Sequence, residues 1–99
     1  MHNTIVLVGG VDRLAEVALK AAFAASAARV VRADINNAAT ICAEERPYAI
    51  LVAEEVYDFG GPEFDALGRD LHAGVVVAPD TVALAVLTAM FQEEAVRLG

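Results

Sequence analysis

Apolar residues in this chain fall into short unbroken runs separated by longer stretches in which they recur every three or four positions. The runs are Thr4–Val8 (TIVLV), the segment from Arg29 to Ala33 around Val30 and Val31, Tyr48–Ala53 (YAILVA) after Pro47, and Val75–Ala78 (VVVA) after Gly74. Runs this short, bounded by Gly or Pro and lacking a helical stripe, predict strands, and the most apolar of them predict burial on both faces. After the Gly9-Gly10 break, Asp12, Glu16 and Lys20 share one polar stripe. Leu14, Val17, Ala18, Ala21 and Ala25 line the other side, so the spacing predicts a helix from Asp12 to about Ala28. Asn36 or Asn37 is placed to cap a short helix reaching about Glu45, with Ala38, Ala39, Ile41 and Cys42 toward the core. Val56–Gly61 runs into a Gly-Gly-Pro break and reads as a loop. A short helix is expected from about Pro62, suited to a first helical position, to Leu71. Asp80 or Thr81 caps a last helix reaching about Leu98.

Strands alternating with helices at these spacings imply right-handed β-α-β crossovers and a parallel sheet. The expected fold is α/β: a three-layer α/β/α sandwich on a four-stranded parallel sheet of order 2-1-3-4. The first and third strands are interior, and a fifth β/α unit is lacking. This is a small flavodoxin-like arrangement, and residues 1–99 form a single domain.

Composition narrows the function classes. Apolar residues make up 58% of the 99 residues and mean hydropathy is +0.53, but alanine supplies much of both. The longest near-uncharged stretch, Thr81–Gln92, falls short of the roughly 20 residues a membrane span needs. The residues after Met1 show neither a basic start nor a small-residue cleavage site. A net charge of −7 with scattered basic residues argues against a nucleic-acid partner. A single cysteine, Cys42, excludes an internal disulfide and a thiolate zinc cluster, and fits a cytoplasmic setting.

The pattern Ile5-Val6-Leu7-Val8, Arg46-Pro47-Tyr48-Ala49-Ile50-Leu51-Val52 and Val75-Val76-Val77 resembles the receiver domain of bacterial response regulators over nearly the whole chain. The chemical positions of that family depart from the pattern here. The acidic pair that holds Mg²⁺ falls on Gly9 and Gly10, the phosphorylated aspartate on Ala53, and the Thr/Ser position on Ala78. The fifth strand with its lysine is absent. Aspartyl phosphorylation needs a carboxylate nucleophile and an oxygen-ligated metal. The resemblance therefore implies a degenerate receiver, or pseudo-receiver, which is not phosphorylated and acts as a protein-interaction module.

The candidate residues follow. Gly9-Gly10 joins a strand to a helix, where anions bind, and Asp34 ends the second strand, where a nucleotide fold holds a ribose. Yet VGGVDRL is neither G-x-G-x-x-G nor a P-loop, and a tight turn with a cap explains it as well. Glu54, Glu55 and Asp58 crowd the end of the third strand without the spacing of a metal loop, and no metal or cofactor is expected. His2 and His72 are isolated, and Cys42 reads as a small core residue. No catalytic constellation forms, so no enzymatic activity is expected. Tyr57, Phe59 and Phe64 are half of the six aromatics, and Tyr57 and Phe59 are placed either to anchor a partner or to fold down as a lid. In the last helix Val82, Leu84, Val86, Leu87, Met90 and Phe91, with intervening alanines, cover most of the circumference. A helix apolar all round is buried on more than one side. A second subunit would supply that burial, as would a partner covering an open fourth-strand edge; alternatively alanine inflates the count and the helix packs once. The leading expectation is a signalling module that self-associates through Leu84, Leu87, Met90 and Phe91, with Tyr57 and Phe59 as secondary contacts. The alternative is a regulator binding a small molecule or nucleotide at Gly9, Gly10, Asp34 and Glu54.

Overall fold

A computed structural model describes residues 3–98. Its elements, in chain order, are β1 (Thr4–Val8), α1 (Asp12–Ser26), β2 (Arg29–Ala33), α2 (Ala38–Glu45), β3 (Ala49–Ala53), α3 (Glu54–Leu71), β4 (Gly74–Ala78) and α4 (Leu84–Leu98). The four strands are all parallel and lie in the order β2-β1-β3-β4, so the fold is the flavodoxin-like three-layer sandwich that the alternation predicts. β1 and β3 are interior, and every residue in both is buried. Their unbroken apolar composition follows, because a central parallel strand is covered by helices on both faces.

Alternation along the strands divides the core in two. Ile5, Leu7, Ala49 and Leu51 face one side, where α1 brings Leu14, Ala18, Ala21 and Ala22 and α4 brings Leu87 and Phe91. Val6, Val8, Ile50 and Val52 face the other side, against Ala38 and Cys42 of α2 and Phe64 of α3. α4 follows β4 directly, with no fifth strand, and returns across the sheet to lie beside α1. The small residues Ala18, Ala21 and Ala22 are what the crowded face between α1, α4 and the sheet accommodates.

Two boundaries differ from the sequence reading. α3 begins at Glu54 rather than near Pro62, so the expected loop over Val56–Gly61 is helical. Glu54 and Glu55 suit the first turn, where carboxylates meet the positive end of the helix dipole. Val56 and Tyr57 pack on the core, which holds that turn down. The Gly-Gly-Pro signal is still real: Gly60 leaves helical geometry at φ −135° and kinks the helix, and Pro62 falls in the first turn beyond it. The last helix likewise starts later, at Leu84, after a turn through Asp80 and Thr81.

Candidate functional site

In parallel α/β folds, chemistry gathers at the C-terminal ends of the strands. Here Gly9 and Gly10 leave β1 with φ of +74° and +86°, a region where glycine carries no steric penalty. A β-carbon on Gly9 would fall 2.5 Å from Val56 Cγ2, and one on Gly10 would fall 2.8 Å from Leu14 Cδ2. Both glycines thus let α1 and α3 close onto the strand. Packing, rather than room for a phosphate, explains them.

The neighbouring polar groups are committed within the chain. Arg32 on β2 donates to Asp12 Oδ1 at 3.2 Å and to the Gly10 carbonyl at 3.3 Å. Asp34 Oδ1 accepts the N–H groups of Asn36 at 2.8 Å and Asn37 at 3.0 Å, while Asn37 Oδ1 accepts the Asp34 N–H at 2.8 Å. Asn37 sits at the N-cap of α2, but its side chain closes this turn rather than capping the helix. Glu54 lines a small cavity of about 150 Å³ with Glu55, Asp58, Pro79 and Asp80. Gly9, Gly10 and Asp34 do not line that cavity. Among the described residues, no group of three or more His, Cys, Asp or Glu is arranged to hold a metal. Ala53 and Ala78, at the receiver positions for the acceptor aspartate and the Thr/Ser, are fully buried.

The predicted interface residues separate. Leu87 and Phe91 are 0% exposed and belong to the core against α1 and the sheet, so neither can touch a partner. Within one chain α4 is buried on one side only: Ala85 and Ala89 face solvent, and so do Leu84, Val86 and Val96. Met90 packs at the margin of the core, while Leu84 and Val86 are exposed. Val86, Met90 and Arg97 share one helical row, and Arg97 lines a groove with Gly74 and Val75. That row therefore flanks β4. On α3, Tyr57 is half-buried against the second core cluster and donates to Asp65 at 2.9–3.0 Å. This bond to Asp65 is the main cause raising its phenol pKa above the ordinary 10.0. Phe59 stands 90% exposed. Neither aromatic lies on a loop.

Compared with known proteins, the chain matches no family model, no curated protein and no solved structure.

Two features escaped the sequence reading. Arg13 on α1 donates to the carbonyls of Asp80 and Val82, at 3.2 Å to the latter, and so pins the turn between β4 and α4. Glu94 is only 9% exposed, and its Oε2 meets no hydrogen-bond partner among the described residues. Its signal was available, since Leu87, Phe91 and Glu94 share a helical face. Together with Asp65, Arg69, His72, Gly74 and Arg97, Glu94 walls a groove of about 620 Å³ at the start of β4.

The two edges of the sheet differ, and the fourth strand is the open one. On β2 the exposed Arg29 and Arg32 stand along the edge, tied to Glu45 and Asp12. Charged side chains on an edge strand discourage pairing with another chain. β4, Gly-Val-Val-Val-Ala, carries no charge at all. Its Gly74 N–H donates to the Tyr48 carbonyl at 3.0 Å, which fixes the alternation of the parallel ladder. Val76 and Ala78 also turn inward, and Val75 and Val77 direct their N–H and C=O groups to the open edge.

Proposed function

We propose that the chain is a non-catalytic protein-interaction module of the signalling kind, in keeping with its resemblance to a pseudo-receiver, and that its contact side is formed by β4 and α4. One observation carries this reading: β4 is an unguarded edge strand with the Val86–Met90 row beside it, while β2 is guarded by paired arginines. A bare apolar edge is a standing template for a partner's backbone. The ligand-regulator alternative is less favoured because one oxygen of the Asp34 carboxylate is held in its own turn and the space beside Gly9 and Gly10 is filled by Val56 and Leu14.

The reading is tested with a photo-crosslinking residue introduced at Val86 and, separately, at Lys20 on the outer stripe of α1. A protein adduct, of this chain or another, is expected from position 86 and not from position 20. No adduct from position 86, together with a rise in melting temperature on adding nucleotides or divalent cations, would overturn it.

A further inference from the structure

The interaction-module reading leaves the partner unnamed, and the inference here rests on it. We propose that the β4 edge pairs with the β4 edge of a second copy of this chain, antiparallel about a two-fold axis normal to the sheet. The result would be one continuous sheet across two subunits.

The backbone suits this geometry. In an antiparallel pair centred on Val76, Val75 of one copy stands opposite Val77 of the other, and the reverse. These are the two residues whose N–H and C=O groups point to the open edge. Residues so placed exchange both of their hydrogen bonds, so the outward groups of Val75 and Val77 are satisfied. A two-fold contact is also closed, and it leaves no second free β4 edge to propagate a fibre.

Charge selects the antiparallel sense. α3 runs along this side of the sheet and is acidic at one end. Its Glu54, Glu55 and Asp58 line the cavity with Pro79 and Asp80, beyond the C-terminal end of β4. Its other end carries Arg69, which lines the groove beside Gly74 and Val75 together with His72 and Asp65. Arg97 of α4 in the same wall is paired with Glu94, so among the described residues Arg69 is the unpaired cation there. Among the described residues Glu54, Glu55, Asp58 and Arg69 make no ion pair. An antiparallel meeting brings the acidic end of each copy toward the Arg69 end of the other. The match occurs twice by symmetry, and complementary ends of this kind set orientation more than affinity. The same axis sets α4 beside its counterpart, with the Val86–Met90 rows facing one another.

Sedimentation velocity of the intact chain over a broad micromolar range tests the proposal. The wild-type chain is expected to dimerise. Arg69→Glu should raise the dissociation constant at least tenfold, as should the double change Glu54→Lys, Glu55→Lys. The triple variant that combines them should recover to within a few-fold of wild type. All three residues are exposed at the ends of α3, where reversal costs only the small helix-dipole stabilisation, and urea melts of each variant check that it is folded. In parallel, Val77→Pro removes an N–H that faces the open edge and none that faces β3, and it too should give a monomer. A wild-type chain that is monomeric throughout overturns the second copy as occupant and leaves the crosslinking test of the broader reading intact. Dimers that resist Val77→Pro, or charge reversals that the triple variant fails to rescue, overturn the antiparallel edge geometry.

Discussion

The carboxylate of Glu94 occupies the space that a side chain on Gly74 would fill. The last helix can therefore lie close over the start of β4 because the strand begins with glycine. Gly74→Ala should cost about 1–3 kcal/mol, the range for forcing a methyl group into a packed site. Glu94→Ala should recover most of that loss. Urea melts of the two single variants and the double variant would show this as a coupling, and simple additivity would contradict it.

Leu87 and Val86 are adjacent in sequence and opposite in role. Leu87 is fully buried, so Leu87→Ala should cost about 2–5 kcal/mol, and Leu87→Glu should prevent folding altogether. Val86→Glu, on the exposed row, should leave unfolding free energy within about 0.5 kcal/mol while weakening self-association. Denaturant titration and sedimentation on the same samples separate the two effects. A Leu87→Glu chain that folds and sediments as a monomer would contradict the burial.

Gly9→Ala and Gly10→Ala should each destabilise by about 1–3 kcal/mol, since both positions hold positive φ and their side-chain space is taken by Val56 and Leu14. Circular-dichroism melts would read the loss directly. Unchanged stability in either variant would reopen this turn as a ligand cradle.

Burial lifts the Cys42 thiol from 9.0 to about 11. As pH rises, the unfolded chain loses this proton first. The contribution of the protonated thiol to stability is complete below about pH 9, declines through pH 9–11, and is gone above the folded value. The full decline amounts to about 3 kcal/mol. Burial also raises Tyr48, and the bond to Asp65 raises Tyr57, so both phenols add to the loss only above pH 10. Urea melts across pH 8–11 should show the first part of this decline in the wild type and not in Cys42→Ala. Ellman's reagent at pH 8 should reach Cys42 only after unfolding.

The strands were readable because burial on both faces demands unbroken apolar runs, and β1 and β3 show little else. α1 was readable because its core face, Leu14, Ala18 and Ala21, keeps helical spacing over about two turns. The first half of α3 was not. Only a few residues precede the kink at Gly60, too few to establish a period against the Gly-Gly-Pro signal. α4 was harder to read, because Ala85 and Ala89 raise its hydropathy yet face solvent, and periodicity did not reveal that Leu87 and Phe91 point to the core while Leu84 and Val86 point away from it. Asp34 was correctly placed at a strand end, but a sequence position does not reveal whether a carboxylate is free. Here Asn36 and Asn37 close a turn on it. Edge polarity was partly visible, since RVVRA and GVVVA differ in charge. Which strand lies at an edge depends on the order of the sheet.

The packing of α4 against α1 has a consequence for how the chain comes to be folded in a cell. Leu14 and Ala18 are made before Leu87 and Phe91, which cover the same face and follow all four described strands. A nascent chain that ends before Leu84 holds a complete sheet with half of one layer missing, and its apolar face is exposed to whatever is nearby. The longest-range contacts of the molecule are thus the ones that make it safe. The interval before they form is when a chaperone would find it.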